Sequence, residues 1–480
     1  MNTEKFYNTE KFYINGAWTD PVARNPVSVI NPATEDPFAI VSDGSPEDAE
    51  RAIHAAKAAF PAFCRTSKAD RIDLLRAFQS EFEKREDAIA QAISQEMGAP
   101  IDAALAFHTR AFGYERLTET IAALEEWPEV EISPRSGARI LHQPIGVCAL
   151  ITPWNYPINQ IAQKVFPALA TGCTMVLKPS IEAPLDAIIL AECIHDAGYP
   201  KGVFNLIQGS GSDVGQILAS HPDVDMVSLT GSVRAGVAVS HAAASTVKRV
   251  SLELGGKSPN LIFADGDVAK GVDWGVRRVM ANSGQTCGAP TRMLVEDSIY
   301  DEAVRLATEI GNAIQTGDPV QPGDHIGPLA NEAQFHRVQS YIQKGIDEGA
   351  RLIVGGAGRP ESHNRGFYAR PTIFADVDKD MVIAREEIFG PVVSILRFKD
   401  EEDALCIAND SDYGLTGHIF SNDPDRQDRV SRALRVGVVG INGAVAGRDT
   451  PFGGCKLSGN GREGSRWGLE EFSEVKAIAV

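Results

Sequence analysis

The chain has 480 residues, 43% hydrophobic and 23% charged, with a formal net charge of -18. That length exceeds one compact core, so two or three domains are expected, and the balance of residues is that of an ordinary soluble globular protein. The acidic excess disfavours nucleic acid and anionic membranes as partners, and no apolar run reaches the roughly 18 residues that cross a bilayer.

Met1 to Tyr13 is polar and aromatic, with no apolar stretch of signal-peptide type. It contains a tandem copy, Asn2-Thr3-Glu4-Lys5-Phe6-Tyr7 followed by Asn8-Thr9-Glu10-Lys11-Phe12-Tyr13, too short for a repeat architecture and expected to be a loosely ordered end. The seven cysteines are odd in number and scattered, with no CxxC pair and no zinc-type spacing. They predict reduced thiols in a cytoplasm, most of them acting as small buried hydrophobes.

Further along, Ser45-Pro46-Glu47-Asp48 predicts a capped helix start, and the helical pattern runs to about Gly98. Gly146 to Ile151, Thr174 to Leu177, Val203 to Ile207 and Met226 to Thr230 read as buried strands, with helix-forming stretches such as Leu185 to Ala197 between them. The alternation resumes with Leu261 to Phe263, Arg292 to Val295, Val392 to Leu396 and Val436 to Ile441. Short apolar strands alternating with helices predict parallel sheets in an α/β fold, and two such units in succession predict a cleft between lobes. The segment from Trp127 to Leu141 and the end from Glu474 to Val480 fit neither pattern. They are expected to be strands that leave the body to pair elsewhere, such as with another subunit.

Several motifs carry chemistry. A thiol, Cys287, stands in Asn282-Ser283-Gly284-Gln285-Thr286-Cys287-Gly288, and a carboxylate, Glu253, in Leu252-Glu253-Leu254-Gly255-Gly256-Lys257-Ser258-Pro259. An unperturbed thiol ionises near pH 8.5, so a nucleophilic Cys287 calls for an electropositive or helix-terminal setting. Apolar neighbours would raise the pKa of Glu253 and suit it to take a proton from water. Gly255-Gly256-Lys257-Ser258 ends like a P-loop, but the first glycine of that motif would fall on Ser251, which excludes it. Asn155 lies in Thr152-Pro153-Trp154-Asn155-Tyr156-Pro157, where an Asn between prolines is most often a turn residue. Gly209-Ser210-Gly211-Ser212-Asp213-Val214-Gly215 is close to a dinucleotide fingerprint, with one residue too many before its last glycine. Leu229-Thr230-Gly231-Ser232-Val233-Arg234-Ala235-Gly236 follows a strand and should open a helix whose amides suit a pyrophosphate. Leu177-Lys178-Pro179-Ser180, Glu386-Glu387-Ile388-Phe389-Gly390-Pro391-Val392 and Pro451 to Glu463 complete the set.

These segments, in this order, resemble the signature segments of the NAD(P)-dependent aldehyde dehydrogenase superfamily from about Tyr13 to the C-terminus. The resemblance implies an α/β fold with a Rossmann-type cofactor domain (1–124 and 145–252) and an α/β catalytic domain (253–456). A small β oligomerisation arm with the C-terminal strand (125–144 and 457–480) would join dimers or tetramers. It implies oxidation of an aldehyde to a carboxylic acid without metal, with NAD or NADP as cofactor. Cys287 would be the nucleophile, Glu253 the general base and Asn155 the oxyanion donor together with the Cys287 N–H, while Lys164 matches a further family position. Thr152, Trp154, Lys178, Ser180, Gly211, Gly215, Thr230, Gly231, Ser232, Gly236, Glu387 and Phe389 would hold the cofactor. Tyr156, Gln160, Gln163, Thr286, Gly288, Phe452 and the loop 443–450 would line the substrate tunnel.

The chain departs from the family pattern at Ile181, where a glutamate commonly accepts bonds from the adenosine ribose, so NAD is favoured over NADP only weakly. Glu182 is one residue later. A CoA-acylating dehydrogenase and a non-catalytic binding protein on the same fold are the alternatives. Glu253 speaks against the first, and the presence of Cys287, Glu253 and Asn155 together against the second. A Ser/His/Asp hydrolase finds no GxSxG.

Overall fold

The computed structural model describes residues 9–479. The first copy of the N-terminal duplication lies outside the described residues. The second copy is not a loose end: Phe12 and Tyr13 belong to strand Phe12–Ile14 and are 0% and 3% exposed. Burying a Phe side chain is worth about 1.5–3 kcal/mol, and Tyr13 also pairs with Leu206 across the sheet edge.

The stretch after Ser45 folds as three helices, Pro46–Phe63, Lys68–Glu83 and Glu86–Met97. Ser45 and Ser67 each close a capping box with an aspartate three residues on, and Gly98 ends the third helix in the left-handed conformation.

Two seven-stranded sheets form the body. In the first, strands Arg249–Glu253, Met226–Thr230, Val147–Ile151, Thr174–Lys178 and Phe204–Leu206 are parallel, in that spatial order. The two N-terminal strands, Phe12–Ile14 and Ala17–Thr19, add antiparallel at the edge beside Phe204–Leu206. The chain therefore starts the parallel sheet in its middle and winds outward both ways. Between Val147–Ile151 and Met226–Thr230 the order reverses, and such switch points leave a crevice at the carboxyl ends of the strands. In the second sheet Thr372–Ala375, Val392–Phe398, Arg292–Glu296, Pro259–Ile262, Thr416–Phe420 and Val438–Ile441 are parallel, with Arg351–Val354 antiparallel at one edge. The expected strand starting at Val436 begins two residues later, at Val438.

The α/β expectation holds. The segment after Trp127 is not one strand but two, Val130–Ile132 and Arg139–Pro144, and they pair with the C-terminal strand Ser473–Ile478 of the same chain. Val130, Ile132 and Val475 on this three-stranded sheet are 50%, 61% and 64% exposed. No helix among the described residues is long and apolar enough to cross a membrane.

Candidate active site

The carboxyl ends of the first sheet and the amino ends of the second come together through the motifs. Strand Val147–Ile151 runs into Thr152, Trp154 and Asn155; Met226–Thr230 into Gly231 and Ser232; Thr174–Lys178 ends on Lys178. Arg249–Glu253 ends on Glu253, and Pro259–Ile262 of the second sheet starts six positions later. Cys287 precedes Arg292–Glu296, and Glu387 with Phe389 precedes Val392–Phe398.

Cys287 is held by a turn of unusual backbone. Asn282, Ser283 and Gly284 have φ of +52°, +55° and +75°, the left-handed region that costs a non-glycine residue energy. At Gly284 a Cβ would collide with the Gly390 carbonyl. Gln285 fixes the turn by donating to Asn282 O at 3.1 Å and accepting from the Ala330 N–H at 2.9 Å. Gly256 lets the Glu253 segment pass behind the thiol, since a Cβ there would lie 2.5 Å from the Cys287 carbonyl oxygen. Asn155 donates from Nδ2 to Gln285 O at 3.0 Å, and its own carbonyl accepts from Asn282 Nδ2 at 2.8 Å. The oxyanion candidate is thereby tied to the thiol's turn by bonds in both directions.

The electrostatics differ from the sequence expectation. Burial pushes the Cys287 thiol up to about 12, and the carboxylates of Glu387 and Glu253 add to the effect. The charges that act most on the sulfur are acidic, so its resting form is the thiol, and its proton must be removed for attack. Glu253 is 3% exposed, and neither carboxylate oxygen has a hydrogen-bond partner among the described residues. Burial, and then the charge of Glu463, hold it well above the usual carboxylate range. The expected direction is right, but a second carboxylate contributes besides apolar neighbours. Glu463 itself accepts from Lys164 Nζ at 2.5 Å, and both residues are buried.

A cavity of about 190 Å³ opens on Cys287. Tyr156, Gln160, Gln163, Thr286, Gly288 and Phe452 lie on its wall, with Ala444 to Gly447 and Thr450 from the loop, whereas Gly443, Arg448 and Asp449 of that loop do not. Tyr156 is fixed by its hydroxyl to Thr286 Oγ1 at 3.0 Å and by stacking on His108 at 4.6 Å. The wall also includes Phe112, Arg116, Trp274, Arg278, His418 and Glu463, none of which was singled out from the sequence. Phe112 belongs to a π-helical stretch, Ala104–Tyr114, an irregularity frequent at functional sites but without a sequence signature. Glu463 was within a family-like motif, yet nothing local marks it as Lys164's partner, 299 positions away.

The cofactor candidates are brought to one crevice in part. Ser232 caps helix Val233–Ala244, and Gly236 clears Leu254 behind it. The surplus residue in Gly209 to Gly215 is absorbed by a π-type turn, Gly215 N donating to Ser210 O at 3.1 Å. Lys178 Nζ donates to the carbonyls of Pro179 and Gly209, both at 2.9 Å, and burial lowers its pKa to about 8. Glu387 accepts from the Gly256 N–H at 3.0 Å, and the Trp154 and Phe389 rings meet edge-on at 5.5 Å. The hydroxyls of Thr152 and Thr230 are buried and without partners among the described residues. Unspent hydroxyls, a helix N-terminus and a lysine at one switch point are a donor set suited to a dinucleotide. The Ser180 hydroxyl accepts the Glu182 N–H and its carbonyl the Ala183 N–H, both at 3.3 Å, Ile181 packs against the apolar core, and the Glu182 side chain turns to Asn331.

Residues 18–478 match the sequence model of the aldehyde dehydrogenase family. The chain belongs to the aldehyde dehydrogenase family. A 3-succinoylsemialdehyde-pyridine dehydrogenase from Pseudomonas sp. is 50% identical over 98% of both chains. The crystal structure of an aldehyde dehydrogenase from Bartonella henselae has a TM-score of 0.97 at 49% identity, covering 98% of this chain and 99% of that one. Aldehyde dehydrogenase C from Pseudomonas syringae, solved as a cysteine-to-alanine mutant with NAD+ and octanal, has a TM-score of 0.97 at 47% identity over 98% and 97%. The protein is an NAD(P)-dependent aldehyde dehydrogenase, an oxidoreductase acting on the aldehyde group.

Proposed function

We propose that Cys287 attacks the aldehyde, Asn155 and the Cys287 N–H receive the developing oxyanion, and Glu253 activates the water that completes the reaction. The net change is RCHO + NAD(P)+ + H2O → RCOOH + NAD(P)H + H+. The sulfur lone pair adds to the carbonyl carbon, and the thiol proton leaves to a base. The collapsing tetrahedral adduct loses hydride, leaving a thioester on Cys287. The nicotinamide supplies the hydride acceptor, and Glu387, with Trp154 and Phe389, would seat it. Water then gives a proton to Glu253, its oxygen adds to the thioester carbon, and the thiol is released with the acid. A carboxyl raised by burial and by Glu463 suits that task, because its proton affinity lies closer to neutrality than that of an ordinary carboxylate.

The observation that carries this reading is the convergence of Cys287, Asn155, Glu253 and the cavity from three separated segments. Hydrolysis is favoured over acyl transfer to CoA by the unpaired, buried Glu253. The exposed apolar residues of the three-stranded sheet support its use as an arm between copies of a homodimer or homotetramer. A division into 1–124 with 145–252, 253–456, and 125–144 with 457–480 is compatible with the two sheets and the arm. A cytoplasmic location rests on the seven free cysteines.

NAD(P)H formation followed by absorbance over an aldehyde panel, with and without CoA, tests the assignment. Cys287→Ala is expected to abolish it while cofactor binding and thermal unfolding stay near the parent. Activity comparable to the parent in that variant would remove Cys287 from the chemistry. Dependence of turnover on CoA would select acyl transfer.

A further inference from the structure

Two cations reach the cavity wall, and they are not equivalent. Arg116 is 9% exposed and has acidic neighbours: Nη1 donates to Arg448 O at 3.2 Å, Nε has no partner among the described residues, and Glu463 and Glu119 lie near enough to act on its charge. Arg278 has no hydrogen bond and no ion pair among the described residues, though its neighbour Arg277 pairs with Asp273 at 2.8 Å. It is half-buried on helix Val268–Met280, one turn beyond Trp274. It lines both the cavity on Cys287 and a second cavity of about 620 Å³ that shares Tyr156 and Phe112. The acidic side chains of that second cavity, Asp102 and Asp324, form no ion pair with it; Asp102 accepts from the Gly323 N–H at 3.1 Å. The one carboxylate on the Cys287 cavity, Glu463, is bound to Lys164.

The wall that Arg278 shares is largely aromatic or apolar, with Asn159, Gln160, Gln163, Thr286 and Thr416 as its uncharged polar members. Trp274 meets His418 at a tilt of 53° with ring centroids 4.5 Å apart, and burial lowers the His418 pKa to about 3, so its imidazole is neutral. Phe112, Tyr156, Phe452 and Val438 complete the channel. A largely apolar channel with a thiol at one point and, on its wall, a guanidinium unpaired among the described residues is complementary to a molecule with an aldehyde, a hydrocarbon spacer and an anion. A guanidinium meets a carboxylate with two parallel hydrogen bonds, and a partly desolvated pair is stronger than a surface pair.

We propose that Arg278 selects aldehydes bearing a carboxylate at the end remote from the CHO group, so that the product is a dicarboxylate. This rests on the reading of Cys287 as the point of attack. The reactions that supply the substrate are then those that leave a free carboxylate and an aldehyde on one chain.

The test is kcat/KM for a homologous series of ω-carboxy aldehydes, each against the methyl-terminated aldehyde of equal length, in the parent, Arg278→Met, Arg278→Lys and Arg278→Glu. At one length or more the parent favours the carboxylate about tenfold or better, and Arg278→Met lowers that ratio by about 10- to 100-fold, the span of a lost charge-assisted bond. Arg278→Lys keeps part of the preference. Arg278→Glu shifts it toward ω-amino aldehydes. A parent ratio near one at every length, or a ratio unmoved in Arg278→Met, overturns the proposal while leaving the Cys287 reading intact. Calorimetry with α,ω-dicarboxylates and monocarboxylates decides separately from turnover. Tighter dicarboxylate binding that is lost in Arg278→Met supports the assignment, and equal binding of both overturns it. A parent that oxidises no aldehyde but passes the binding arm would instead remove the Cys287 reading alone.

Discussion

Two pairs of buried carboxyl groups sit in this molecule and are put to different use. Glu253 and Glu463 meet beside the Cys287 cavity, with Lys164 at 2.5 Å from Glu463 and Arg462 close by. Glu96 and Asp186, both 0% exposed, meet in the helical layer over the first sheet. There Glu96 accepts the N–H groups of Leu185 and Asp186 at 2.8 and 3.4 Å, satisfying amides at the start of helix Leu185–Asp196. Burial raises Glu253, Glu96 and Asp186 alike, Asp186 to about 7. Desolvation is thus common to both places and cannot by itself mark a catalytic carboxyl. What separates them is access: Glu463 lines a cavity, whereas the Glu96–Asp186 pair lines none of the principal cavities. One pair borders the cavity that opens on Cys287; the other holds a helix.

The largest effect should come from Glu253→Gln, because an amide cannot take a proton from water. Steady-state turnover should fall about 10²–10⁴-fold while a pre-steady-state burst of NAD(P)H survives. If burst and steady state vanish together, Glu253 acts in thiol activation or cofactor seating. Lys164→Met tests the cation that distinguishes the site pair. It would strand Glu463 and cost about 3–5 kcal/mol in urea unfolding, and the double variant with Glu463→Met should recover much of that loss. Equal stability of the single variant and the parent would mean that the pair contributes nothing to stability.

The structural pair should announce itself in stability against pH rather than in rate. A carboxyl whose folded pKa is raised contributes stability fully present below its unfolded pKa near 4, and that contribution is lost as pH rises through the folded value, about 7 for Asp186. Urea stability of the parent should therefore fall by about 1–3 kcal/mol between about pH 6 and pH 9 relative to Asp186→Asn. Parallel curves for the two proteins would show that the pair does not titrate in this range. The smallest effect is expected at Ile181. Ile181→Glu should move the NAD to NADP ratio of kcat/KM toward NAD by about tenfold, the low end for a charge-assisted bond. The Glu182 side chain is engaged with Asn331 and is not free to take that place. An unchanged ratio would show that cofactor choice is set elsewhere, with Asp43 beside Lys178 the nearest acidic group to examine.

Much of the fold and of the site was legible because its determinants are local. Hydrophobic alternation placed the strands Val147–Ile151, Thr174–Lys178 and Met226–Thr230 to within a residue or two, and Ser45 with Asp48 set the start of the first helix by its own hydrogen bonds. Glycine-rich runs around Glu253 and Cys287 announced backbone that must turn tightly or be approached closely, and the left-handed turn at 282–284 with the close passage at Gly256 realises both. Tertiary structure alone decided what depends on through-space charge and on chain returning from far away. Phe12 and Tyr13 looked like part of a loose end because nothing near them in sequence shows the sheet edge that buries them. The strands near 130–144 find their partner more than three hundred residues on. An electropositive or helix-terminal setting was expected for the sulfur, and the charges acting on it are instead those of Glu387, Glu253 and Glu463, because a pKa follows from the field of all neighbours and from burial. Lys164 and Glu463, the free guanidinium of Arg278, and the aromatic wall of Trp274 and His418 likewise exist only once helices and loops from distant segments share one cavity.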